Sequence, residues 1–249
     1  MNDLVIHVPH ASKVIPDDVL AEFTVPVAQL REEAAQSADL LTDLIAHTAW
    51  PQAAIVEAAV SRLVVDVERY ESDADEEMAT VGRGVLYTHD RHGRRIRATL
   101  HNERRQELLV RYYRPHWARL RALAVGKILI DLHSYPKEPW PIEHDTSSPR
   151  PEIDLGWSPQ LTPAGWLEAL TGHFRSAGYQ VGHNTPYAGV IDAGAQAAVM
   201  IEIRRDIIAA PGSSAWLRLT AALASMPLPD PKTAFRQPTS AAASETTAL

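Results

Sequence analysis

The chain contains no cysteine. A disulfide framework and a thiolate-bound metal are therefore excluded, and any ion held here has to rest on imidazole, carboxylate and water. Basic residues are outnumbered: 24 Lys and Arg against 31 Asp and Glu give a formal net charge of -7. A polyanion is a poor partner for such a chain, so nucleic acid is not expected to bind. No apolar run approaches the roughly 20 residues needed to span a bilayer, and the amino terminus lacks a basic-then-apolar leader. We expect a cytoplasmic protein without a membrane partner. Missing as well are the Gly-x-Ser-x-Gly elbow of serine hydrolases and the glycine motifs of P-loops and dinucleotide folds.

What is present is 45% hydrophobic and 22% charged over 249 residues, the composition of a soluble globular protein. We expect one domain over residues 1–226 and a flexible tail, rich in Pro, Ser and Ala, over 227–249. The most informative stretch is Lys127-Ile-Leu-Ile-Asp-Leu-His-Ser-Tyr135. It reads as a buried strand delivering Asp131 and His133 from one face at its carboxyl end, where open α/β sheets keep their sites. Further strands are predicted at residues 4–8, 53–60, 152–157, 179–182 and 197–203, with a short one running through Tyr87. Helical periodicity covers residues 27–50 as one helix or two, 99–124 with a bend at Pro115, a helix from Pro163 with Thr162 as N-cap and Gly178 just past its end, and 213–226. This alternation predicts an α/β fold, a mainly parallel or mixed sheet with helices on both faces.

Polar side chains collect at predicted strand ends and loops. His10 follows a strand-ending proline and is a better ligand candidate than His7, inside the strand. Within Ser61-Arg-Leu-Val-Val-Asp-Val-Glu-Arg69, charges flank an apolar run, costly unless they pair or face a cleft; an Arg62–Asp66 salt bridge is the plain structural reading. Glu202 interrupts a buried strand and needs a partner or a role. Two histidines with several carboxylates in a cysteine-free chain suit a catalytic metal with three protein ligands and an open position for water.

In order along the chain, Val8-Pro-His-Ala-Ser12, Ser61 to Arg69 as above, Gly82-Arg-Gly84, Tyr113-Arg-Pro-His116, Ile130-Asp-Leu-His-Ser134, Asn184-Thr-Pro-Tyr-Ala-Gly189 and Ile201-Glu-Ile-Arg-Arg205 resemble the successive motifs of the N-formylglutamate amidohydrolase family. The family is related to zinc carboxypeptidases and aspartoacylases. The resemblance implies a phosphorylase/hydrolase-like fold and a Zn(2+)-dependent amidohydrolase acting on a small N-acyl amino acid such as N-formylglutamate. It implies His10, His133 and Asp39 as metal ligands, with Asp43 as the alternative third. Arg62 would stabilise the tetrahedral oxyanion, Glu202 would be the general base, Arg69 would clamp a substrate carboxylate, and Asn184 and Tyr187 would line the substrate site. Two positions depart from the pattern: Lys13 stands where carboxypeptidase-like relatives have the Glu of a His-x-x-Glu pair, and Glu68 stands where the family usually has Asn. The competing expectation is an inactive member of the fold that binds an amino-acid-like ligand.

Overall fold

The computed structural model describes residues 3–229 apart from 144 and 147; most of the predicted tail lies outside the described residues. Six strands form one sheet in the order β2-β1-β3-β6-β4-β5: β1 (Leu4–Val8), β2 (Ala54–Glu57), β3 (Ile128–Tyr135), β4 (Ile153–Gly156), β5 (Val181–His183) and β6 (Ala197–Arg204). All neighbours run parallel except β4 and β6, which are antiparallel. The fold is thus the expected α/β type with a mixed, mostly parallel sheet. Every residue of β3 and of β6 is buried, which explains why both read as nearly continuous apolar runs: each is covered on both faces.

Helices α3 (Thr42–Ala49), α6 (Ala164–Ser176) and α7 (Ser214–Ala224) pack Ile45, Phe174 and Leu219 against Ile6, Ile130 and Val199 on one face. The other face packs Val5, Leu129 and Ala198 against Leu120 and Ala124 of α5 (Arg114–Ala124). Alternation therefore sends His7, Asp131, His133 and Glu202 to the α5 face. Register sets His7 beside Asp131, His133 beside Glu202, and Glu202 beside Asp154.

A separate apolar cluster joins residues 58–109 to α1 (Asp17–Leu20) and α2 (Val27–Ser37). This lobe has little regular structure. The strand expected through Tyr87 is not formed; a 3-10 turn at Glu77–Val81 and isolated bridges stand there. Fully buried Arg97 braces it instead, pairing with Glu22 and donating to the carbonyls of Leu63 and Val64.

Two local expectations change. The helical run over 99–124 is α4 (Asn102–Leu108), a π-helical turn at Leu109–Tyr113, and α5. The irregular turn lies just before Pro115, which lacks the N–H needed to continue the ladder. Thr162 does not cap α6: its hydroxyl donates to the Ala198 carbonyl at 2.6 Å, tying the helix to β6. Residues 27–50 form two helices, α2 and α3, with left-handed Leu41 as the N-cap residue of α3.

Candidate functional site

The site lies at the carboxyl edge of β1, β3 and β6. Pro9 ends β1 and turns His10 into the space above the sheet; His133 comes from β3 itself. Asp39 arrives from the break between α2 and α3. Its backbone N–H donates to the His10 carbonyl at 2.9 Å, and the next N–H, of Leu40, donates to Ser134 Oγ at 2.6 Å. These bonds dock the loop between α2 and α3 onto two strand ends.

His10, Asp39 and His133 are all buried and offer ligand-type atoms within 4.8 Å of one another. Asp39 Oδ2 lies 3.1 Å from His133 Nδ1 and 3.7 Å from His10 Nδ1, and the two rings are 5.2 Å apart at their centroids. Asp43, the alternative third ligand, belongs to α3 and is not in this group.

A second ring of contacts holds the imidazoles. His10 Nε2 is 2.9 Å from Asp66 Oδ1. Asp66, wholly buried, also accepts from Arg62 Nε (3.0 Å) and Nη2 (2.8 Å), Tyr87 Oη (2.7 Å) and the Glu68 N–H (3.0 Å). The Arg62–Asp66 ion pair of the plain reading is therefore present, and it also supports a histidine of the cluster. His133 Nε2 is 3.1 Å from Asp131 Oδ1 and 3.2 Å from Glu68 Oε2. Arg205 donates to the Gln36 carbonyl at 2.7 Å and stands 3.7 Å from Asp39 Oδ1.

The electrostatics follow from this crowding. Burial alone would raise the Asp39 and Asp131 carboxyls, yet their histidine neighbours hold both well below the usual range. Burial and Arg62 oppose a proton on His10, but Asp66 and Asp39 raise it overall; burial likewise opposes charge on His133, and Glu68 and Asp131 push it well up. Without an ion, protons on these rings compensate the carboxylates. Glu202 behaves differently. Burial pushes its carboxyl up to about 8 against the lowering pull of His133, with Asp39, Glu68 and Asp154 adding to the rise. Its Oε2 is buried without a hydrogen-bond partner.

Arg69 reaches Asp66 at 3.8 Å and Glu76 at 3.7 Å, both longer than hydrogen bonds, and its buried Nε has no partner. Tyr187 packs edge-on against Tyr135 with centroids 6.4 Å apart, and burial raises its hydroxyl, which stays protonated. Asn184 is engaged with its own loop. Its side-chain oxygen accepts from the N–H groups of Trp157 (2.8 Å) and Gly189 (3.0 Å), and its amide donates to the Trp157 carbonyl (3.2 Å), so it pins its own loop.

Sequence reasoning missed Glu68 as a neighbour of both imidazoles and the pairing of His7 with Asp131. The alternation of β1 placed His7 opposite Ile6 and Val8, but only the β1–β3 register shows that its face meets Asp131. The cavity lined by Leu4, Trp50, Pro51 and Leu228 lies at the amino end of β1, away from all these groups.

Histidines and carboxylates gathered at the carboxyl edge of a mostly parallel sheet define an α/β protein with a buried cluster of metal-ligand-type side chains. The chain belongs to the N-formylglutamate amidohydrolase family, whose model matches residues 2–209. It is similar in structure to N-formylglutamate amidohydrolase from Ralstonia eutropha JMP134, with a TM-score of 0.74 and 21% identity over 90% of each chain. A gene product from Agrobacterium tumefaciens gives 0.67 and 19% over 89% of each chain. At such identities the likeness carries the fold. No curated protein sequence matches the chain.

Proposed function

We propose that the chain is a zinc-dependent amidohydrolase that removes the acyl group, formyl in the first instance, from an N-acyl amino acid such as N-formylglutamate. The reading takes residues 1–226 as one catalytic domain. The observation that carries it is the convergence of His10, Asp39 and His133 in a chain of this family. The group fits the ion. It offers two imidazoles and a carboxylate, the donor set of a catalytic zinc site, and buried His10 Nδ1 has no hydrogen-bond partner. When bound, zinc supplies a Lewis acid that lowers the pKa of its water to about 7.

The chain's own side chains divide the remaining work. Glu202 Oε2, which has no hydrogen-bond partner and sits beside His133 in the sheet, takes a proton from the attacking water and returns it to the leaving amine nitrogen. Arg62 is held to Asp66 through Nε and Nη2, which leaves Nη1 to stabilise the oxyanion of the tetrahedral intermediate. Arg69, with weakly engaged donors, forms a bidentate pair with the α-carboxylate of the substrate. Tyr187, packed edge-on against Tyr135, offers a protonated hydroxyl to the substrate. Water adds across the amide C–N bond, giving formate and the free amino acid.

The test is a panel of N-acyl amino acids, assayed for carboxylate release before and after chelation and after zinc is restored. We expect release from N-formyl substrates that stops on chelation and returns with zinc. A zinc-loaded, folded protein that hydrolyses nothing in the panel would overturn the proposal in favour of ligand binding alone.

A further inference from the structure

A second group of ligand-type atoms adjoins the first. His7 Nδ1 and carboxylate oxygens of Glu68 and Asp131 lie within 4.8 Å of one another. His7 Nδ1 is 2.9 Å from Asp131 Oδ1 and 3.5 Å from Glu68 Oε1, and Glu68 Oε1 is buried without a hydrogen-bond partner. Among the described residues, the ion-pair partners of these two carboxylates are His7, His10 and His133, with no lysine or arginine in range. His133 Nε2, on a side chain only 6% exposed, also lacks a hydrogen-bond partner and is aimed at both.

His116 is hydrogen-bonded to the backbone of Glu57 through one ring nitrogen and to His7 Nε2 through its own Nε2 at 2.8 Å. A neutral His116 that donates to the Glu57 carbonyl has a bare Nε2, so His7 donates to it. The tautomer of His7 that donates from Nε2 has a bare Nδ1, and that atom faces two carboxylate oxygens. Three acceptors facing one another repel unless a proton or a cation lies among them. Ligating imidazoles characteristically have the far ring nitrogen tied to a partner. His10 has Asp66 in that position, and His7 has His116.

We propose that His7, Glu68 and Asp131 form a second divalent-cation site next to the first. One imidazole and two carboxylates suit zinc or manganese. Glu68 turns one oxygen to each group and so links the two sites. The alternative is a buried imidazolium at His7 paired with Asp131, with no ion.

Chelator-stripped protein dialysed against zinc and analysed for metal decides between them. We expect two equivalents per chain, falling to one in His7→Gln and to one in His133→Ala, with folding checked by circular dichroism. One equivalent in the parent chain that survives His7→Gln overturns the second site and leaves the first standing. One equivalent lost in His7→Gln but kept in His133→Ala overturns the first and supports the second. No zinc in the parent chain overturns both. If His7→Gln does not fold, the parent stoichiometry, together with retention of both equivalents in Glu68→Gln, decides against the site.

Discussion

The three central strands and the irregular lobe of residues 58–101 supply the site in different ways. His133 and Glu202 sit in β3 and β6, where ladder hydrogen bonds and burial on both faces fix their register. Arg62, Asp66, Glu68 and Arg69 sit in a segment with no ladder at all. There, position is enforced by charge: Asp66 accepts from Arg62, Tyr87 and a backbone N–H while holding His10. A strand positions a side chain through its backbone, whereas this lobe positions its side chains through one buried carboxylate. The two halves should therefore fail differently when altered.

The strand half should give the largest loss. His133→Ala removes an imidazole that both Asp39 and Asp131 contact, and we expect the first-site ion to be lost and hydrolysis to fall to background, read by metal analysis and formate release. In the lobe, Asp66→Asn takes the negative charge from beneath Arg62 and His10. Breaking a buried pair in this way costs about 3–5 kcal/mol, which denaturant unfolding would show. Unchanged stability would mean that the lobe is held by its apolar cluster instead. Glu202→Gln preserves shape and register, so metal content should stay while turnover drops about a hundredfold or more.

The smallest effect is expected at Asp154, where burial raises the carboxyl to about 7 against a lowering hydrogen bond from the Thr185 N–H. A folded-state pKa above the unfolded value means that stability is full below about 4 and declines as pH rises to about 7. Asp154→Asn keeps an acceptor for Thr185 and removes this penalty. It should stabilise the protein at pH 8 by on the order of 1–3 kcal/mol and change little at pH 4, as thermal melts at the two values would show.

The same contrast explains what could be read from the sequence. β1, β3 and β6 were legible because buried parallel strands leave unbroken apolar runs, and a His or Glu inside such a run stands out. The order of motifs brought the family within reach. The docking of Asp39 was not legible, because it depends on one N–H meeting the His10 carbonyl and another meeting Ser134. Neither bond leaves a period. Tyr87 looked like the end of a strand because its neighbours are apolar, but its hydroxyl is drawn to Asp66 and the segment packs as irregular chain. Asn184, expected at the substrate site, also ties its own loop together from a left-handed backbone (φ 52°), a conformation that no sequence period announces.

The central claim is that distant parts of the chain bring His10, Asp39 and His133 together around an ion. Anomalous diffraction at the zinc edge from zinc-loaded crystals tests it most directly. The account predicts a peak bonded to both imidazoles and to the Asp39 carboxylate. Ordered side chains in these positions with no peak between them, at saturating zinc, would contradict it.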